Sequence, residues 1–470
     1  MPAQPDLAAH LFLAEAWQAL RGDPARLASA SLPAGGELPS AFQVTALAQA
    51  SIAAAGLALA EVIEAQGAAA PQVDVDGRLA SLWFGTTLRP EDWTPPSPWD
   101  PIAGDYATRD GWIRLHTNAP HHRRAAKRVL GDHHTRDAMA DAVLAWEKDA
   151  LESAVVEERG CAAAMRDHAA WLLHPQGAAV QAEPLVHWDA GLPGARTSWA
   201  ATPARPLHGL RVLDMTRVLA GPAASRFLAG HGAEVLRIDP PWWDEPGLVP
   251  EMTVGKRCAQ LDLGVLADRE RFTALLAEAD VFLHGYRADA LERLGVGAAW
   301  RRQQCPGLVD VSLDAYGWTG PWHDRRGFDS LVQMSSGIAE AGMRWAGAAR
   351  PVPLPVQALD HATGYLMAAA VLRGLAERLR TGAGSRARLS LARTGRLLMD
   401  HPPGEARLGP IAPETSADLA VDLEQTAWGP ARRLRSPLAM TGVPLRWSLP
   451  AGPLHGAPPA WATDIARTQP

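Results

Sequence analysis

The sequence predicts an α/β protein: a large domain built on a Rossmann-like parallel sheet, preceded by a smaller α+β domain. Three observations predict it. Short apolar runs alternate with helical patterns from Leu210 to about Asp400, two Pro/Gly/Trp-rich stretches (93–101 and about 187–208) cut the chain before that region, and Asp110-Gly111 separates two alternating runs. Strands alternating with helices call for right-handed crossovers and parallel pairing. Asp-Gly between alternating runs is hairpin chemistry.

Taken in order, residues 1–98 read as a helical segment. Residues 99–186 read as the small domain, opening with the hairpin GDYATRDGWIRLHT and running on as helical patterns to about Arg159. In the large domain, 208–400, LRVLDMT is a buried strand, followed after Gly221-Pro222 by a helix through Arg226, Phe227 and Leu228. EVLRID and CAQLDL are strands, DRERFTALLAEA a helix, DVFLHG a strand, a short helix surrounds Leu291, and LVDVSLDAYG is a strand. Beyond Asp400, Pro and Gly recur every few residues, so 401–470 read as an irregular tail.

Composition narrows the function. Hydrophobic residues are 47% and charged residues 20%, enough apolar material for a substantial core. A net charge of -6 gives no footprint for nucleic acid or an anionic membrane surface. Cys161, Cys258 and Cys305 lie far apart without a CxxC pair, which excludes a disulfide scaffold and a cysteine-rich zinc module. The N-terminus lacks a basic signal-peptide region, and the most apolar stretch, 50–60, falls short of the roughly 20 residues of a membrane span. A soluble, cytoplasmic protein is expected. Lys occurs only at 127, 148 and 256, so Arg325-Arg326 and Arg432-Arg433 reflect a general preference for Arg and read as solvated faces. His121-His122 and His133-His134 read as polar surface. No GxGxxG, Walker, GxSxG or HExxH pattern is present.

A repeat joins VTALAQASIAAAGLALAEVIEAQG, from Val44, to VQALDHATGYLMAAAVLRGLAERL, from Val356. The position matching Asp360 is Ala48.

Five motifs follow one another in the large domain: GLRVLDMTRVLAGPAASRFLAGHGAEVLRID, GKRCAQLDL, ADVFLHGYRADALERLGV, PGLVDVSLDAYGWTGPWHDRRGFDSLVQMSSG and ALDHATGYLMAAAVLRGLAERLRTGAG. In this order and spacing the set resembles the class III coenzyme A transferases, the family of formyl-CoA and carnitine CoA-transferases and alpha-methylacyl-CoA racemases. The segments GDYATRDGWIRLHTNAPHHRRAAKRVLG and EERGCAAAMRDHAAWLLHPQG look like that family's small domain, which ordinarily follows the large one. The resemblance thus implies a rearranged tandem, with 1–98 holding a degenerate copy of the junction helix. It also implies acyl-CoA and a carboxylic acid as substrates, no permanently bound cofactor, no nucleic-acid or membrane partner, and a homodimer that is either interlocked or replaced by a pseudo-dimer within one chain.

Local sequence alone reads Asp360 as a helix N-cap worth about 1 kcal/mol. The resemblance makes it the nucleophile, and an ordinary carboxylate, ionised at pH 7, needs no base partner. CoA-binding residues implied by the resemblance are Leu219 and Ala220 in the first βα turn, Lys256, Tyr286, Arg287, Arg293 and Tyr316. A surface charge for Lys256, a solvated helix position for Arg293 and core packing for Tyr316 remain open alternatives. No metal site is expected. Three departures bear on the ligand: Asp314 and Pro240 stand where family members place basic residues, and PSPWDPIAGDY lacks the glycine run that closes over the intermediate in some of them. Phe328 stands where the racemases carry a proton-transferring histidine, and His323, five residues upstream, is the nearest substitute in sequence. The alternatives to CoA transfer are thus an acyl-CoA racemase and a non-catalytic CoA-binding scaffold.

Overall fold

The computed structural model describes residues 6–194, 198–287, 289–403 and 408–462. Its main sheet has seven strands, in the spatial order Lys256–Gln260, Glu234–Asp239, Arg211–Met215, Val281–His284, Val309–Asp314, Ala383–Ser390 and His187–Pro193. The first six are parallel and the last is antiparallel to its neighbour. Numbered along the chain, the parallel strands run 3-2-1-4-5-6, the doubly wound order whose reversal opens a crevice at the carboxyl ends of strands 1 and 4. Strands covered on both faces explain the near-continuous apolar runs in the sequence, with Val212, Leu213, Leu236, Ile238, Phe282 and Val311 inaccessible to solvent.

Two strands escape the sequence patterns. Ala383–Ser390 (AGSRARLS) carries Arg386 and Arg388 on one face and has no apolar run, while His187–Pro193 lies within a stretch read as an interdomain break and forms the sheet edge. The third strand begins two residues before CAQLDL.

The small domain has the expected hairpin, Gly104–Thr108 with Gly111–Leu115, extended by Ala162–Ala164. Helices Pro120–Leu130, Arg136–Leu144 and Lys148–Glu157 complete it around Ile102, Tyr106, Ile113, Leu115, Leu151 and Val155. The two ends of the chain fold together. Val73–Val75 pairs with Leu438–Ala439, and Leu88–Pro90 with Gly429–Arg433, so part of the tail supplies strands to the N-terminal segment.

Helix Val44–Ala65 is 22 residues long and apolar enough to cross a membrane, longer than the 50–60 stretch suggested. Here protein covers it: every residue from Val44 to Ile63 is buried, and the helix lies along Ala358–Thr381, its counterpart in the repeat. Gln49 inside it donates both amide hydrogens, to the carbonyls of Pro33 and Val75 at 3.0 and 2.7 Å. Glu61 forms an ion pair with Arg373, 312 positions along the chain, the same spacing as Val44 to Val356. Gly364 lets helix Ala358–Thr381 pass close to helix Ala220–Gly230, because a Cβ there would collide with the Ala220 carbonyl.

Candidate active site

The first βα turn is built under strain. Between strand Arg211–Met215 and helix Ala220–Gly230, Val218 adopts φ +67°, a left-handed conformation that a β-branched residue avoids. Its N–H donates to Glu245 Oε2 at 3.0 Å. Buried Asp214 ties the turn down from beneath, accepting from the Thr216 N–H (2.8 Å), the Thr216 hydroxyl (2.5 Å) and the Ser225 hydroxyl. Lys256 completes this cluster. Its ammonium lies 3.5 Å from Asp214 Oδ2 and donates to the Pro222 carbonyl at 2.9 Å. The side chain is fully buried, and burial pulls its pKa down to about 8. This corrects both sequence expectations for Lys256: it is neither at a phosphate-binding surface nor on the exterior, but holds the turn in place.

Asp360 is the third residue of helix Ala358–Thr381, whose N-cap is Gln357, so it is not the cap. The cap comes from elsewhere. Asp329 Oδ2 accepts the N–H groups of Leu359 and Asp360 at 2.9 and 3.0 Å, while Gln333 donates to Asp329 Oδ1. Among the described residues the Asp360 carboxyl has no hydrogen-bond partner of its own. Burial, and then the Asp329 charge, push its pKa well above the usual carboxylate range. The expectation of an ordinary carboxylate ionised without assistance is therefore corrected. Asp329 is also raised by burial, but its backbone donors favour its charge, so the proton shared by this pair resides on Asp360.

Asp360, Val218 and Phe328 line two cavities at once, each of about 420 Å³. One opens at the crevice between strands 1 and 4. Arg217, Ala220, Trp242, Trp243, Tyr286, Arg287 and Arg326 line it, and Arg287 and Arg326 continue into a further cavity of about 320 Å³ with Arg159 and Arg293. The other is walled by Phe84, Leu88, the 95–99 stretch, Leu219, Leu248 and Val356, with His116 and Ser330 near Asp360. The Pro/Trp stretch read as a break thus forms a wall of the site. His116 stacks flat on Phe328 with ring centroids 3.7 Å apart, and burial drives its pKa down to about 3, leaving it neutral.

The positive charge absent at Pro240 and Asp314 is supplied by other residues. Arg217 packs over Trp243 and Tyr286, donates to the Tyr286 hydroxyl at 3.0 Å and is itself paired with Asp239 at 3.2 Å. Arg293 pairs with Asp289, whereas Arg159, Arg287 and Arg326 have no carboxylate partner among the described residues. Burial and the neighbouring Arg287 lower the Arg326 pKa. Asp314, with Oδ2 buried and unpartnered, has its pKa raised well above the carboxylate range by burial, so it faces the cavity as a neutral acid.

Of the residues singled out from sequence, Asp360, Leu219, Ala220, Tyr286 and Arg287 converge on these two cavities, while Arg293 reaches only the arginine-lined one. Tyr316 does not line them. It is buried with its hydroxyl 3.2 Å from Ser335 Oγ and its ring edge-on to Trp322, the core-packing alternative. Arg325 and Arg433 are not solvated: the first pairs with Glu152, the second with Glu251 and Glu424. His122 is buried against Phe328 rather than on the surface. His323 is exposed and lines neither cavity. No group of side chains suited to a metal ion occurs among the described residues. Sequence reasoning missed Asp329, Val218, His116, Arg159 and Arg326. Only Asp329 carried a signal, its place in the GFD motif.

A family model described as CoA-transferase family III matches residues 207–426, the stretch that contains the strained turn, Asp329 and Asp360. This stretch belongs to CoA-transferase family III. Relatives of the family III region include the probable fatty acyl-CoA transferase Rv3272 of Mycobacterium tuberculosis, 34% identical over 39% of this chain and 49% of its own. Succinyl-CoA:glutarate CoA-transferase of Mus musculus is 32% identical over 41% of this chain and 48% of its own. The chain therefore spans about half the length of these family III relatives. The crystal structure of Rv3272 superposes with a TM-score of 0.38 at 31% identity, covering 43% of this chain and 59% of that one.

Proposed function

We propose that this protein transfers coenzyme A from an acyl-CoA thioester to a free carboxylic acid, with Asp360 as nucleophile. The observation that carries this reading is the position of Asp360 where an arginine-lined crevice meets an apolar cavity. A thioester has the same two-part character, a polyanionic nucleotide end and an acyl end, with the reacting carbonyl between them. Membership of residues 207–426 in family III, and relatives named as CoA-transferases, support it.

Once ionised, the Asp360 carboxylate attacks the thioester carbonyl. The C–S bond breaks, leaving a mixed anhydride and the CoA thiolate. The thiolate attacks the Asp360 acyl carbon, releasing the first carboxylate and leaving an aspartyl-CoA thioester. An incoming carboxylate attacks that thioester, forming a second anhydride and expelling the thiolate. The thiolate then takes the new acyl group and restores Asp360. No net proton or electron is exchanged. The N–H groups at the start of the Asp360 helix are bound by Asp329, which holds the backbone that carries Asp360 and leaves its carboxyl free to react.

Incubation with acyl-CoA followed by hydroxylamine should convert Asp360 to a hydroxamate, seen as a mass change on one peptide and lost in Asp360→Ala. CoA transfer with an unmodified Asp360 peptide would refute the assignment. The racemase reading is disfavoured because Phe328 has no proton to give and its stacked neighbour His116 is held neutral. Rapid Asp360-dependent deuterium uptake at the alpha carbon of a 2-methylacyl-CoA would restore it.

A further inference from the structure

The apolar cavity beside Asp360 contains no Arg or Lys among the described residues that line it. Its ionisable carboxylic side chains are Glu251, Asp329 and Asp360, and its two histidines, His116 and His361, are both driven to about pKa 3 by burial. Glu251 is already committed to Arg226, Arg433 and Thr87. The remaining wall is uncharged: Phe84, Leu88, Trp99, Leu248, Phe328 and Val356 give it its apolar surface, and Thr86, Ser97, Asn118, Ser330 and Gln357 are its neutral polar members. Three buried polar atoms of its lining residues lack a partner, His116 Nδ1, His361 Nδ1 and Ser330 Oγ. Two neutral imidazoles and a hydroxyl offer uncharged donors to a carboxyl group. No cation offers itself to a second.

We infer that the acyl group carried by this site, on donor and acceptor alike, is an apolar monocarboxylic acid, aliphatic or aromatic, rather than a dicarboxylic acid. A distal carboxylate would enter a wall of acids, hydrocarbon and neutral polar groups with no cation to receive it, and a buried charge without a counter-ion is costly. The cationic groups lie on the other side of Asp360, in the crevice suited to the nucleotide. The inference rests on the CoA-transfer reading and goes beyond it by naming the substrate class.

The test uses the full-length chain. Hexanoyl-CoA and succinyl-CoA are compared as donors in hydroxylamine trapping at Asp360, then hexanoate, benzoate, succinate and glutarate as acceptors, with acyl-CoA products read by mass spectrometry. Hexanoyl-CoA should label Asp360, and kcat/KM for the monocarboxylates should exceed that for the dicarboxylates by about 100-fold or more. Val356→Arg, which places a guanidinium in the wall, should narrow that ratio by about 10-fold in protein whose circular dichroism is unchanged. Labelling by succinyl-CoA with equal or better use of glutarate would overturn the inference while leaving CoA transfer standing. Failure of every acyl-CoA to label Asp360 would remove the transfer reading and this inference together.

Discussion

Asp329 Oδ2 accepts the backbone N–H of Asp360 at 3.0 Å, so one carboxylate caps the helix that presents the other. The bond fixes the backbone at the start of the helix that carries Asp360. The same proximity places a negative charge beside it and raises its pKa.

Asp329→Asn keeps an oxygen for the cap and removes the charge. The Asp360 pKa should then fall, and the acid limb of the rate profile should move to lower pH, by about one unit. Asp329→Ala also removes the cap and should cost about 1 kcal/mol of stability, with a loss of about 10-fold or more in kcat. A pH–rate profile for each variant checks this, and an unmoved acid limb in Asp329→Asn would contradict it.

The Asp360 pKa is raised in the folded protein, so the native state holds more protons than the unfolded state once pH exceeds the ordinary carboxylate value. Stability is therefore lost as pH rises through that window. Asp360→Asn removes the titration. It should melt about 1–3 °C above the parent at pH 8, with the gap closing toward pH 4. Thermal melts across that range measure it.

Lys256→Met separates a structural role from a ligand contact. Removing one partner of a buried ion pair leaves Asp214 under-compensated and should cost about 3 kcal/mol, while KM for acyl-CoA stays within about twofold. A tenfold rise in KM with unchanged melting temperature would return Lys256 to the nucleotide site.

The doubly wound region was legible because parallel strands covered on both faces read as apolar runs, and the hairpin because Asp110-Gly111 has turn chemistry. Asp360 was legible through its motif. Its protonation was not, because burial and the charge 31 positions away are tertiary facts. Arg325 reads as solvent-facing because its carboxylate partner Glu152 lies 173 positions distant, and Arg433 because its burial depends on Glu251, 182 positions distant, as well as on the nearby Glu424. Lys256 misled for the same reason: its partner Asp214 is on another strand, 42 positions away. Strand Ala383–Ser390 was hidden by its alternating arginines.

The Glu61–Arg373 pair has a consequence of its own. At 312 positions apart, these residues are counterparts in the repeat, so each meets its own equivalent, as happens only on a two-fold axis. Two identical helices meeting there would set like against like, glutamate on glutamate or arginine on arginine. Opposite signs at a self-facing position are available only to copies whose sequences differ there, as these two do. This pair therefore rewards the fused arrangement and penalises two copies of either helix alone, a covalent memory of symmetry that has become a lock against it.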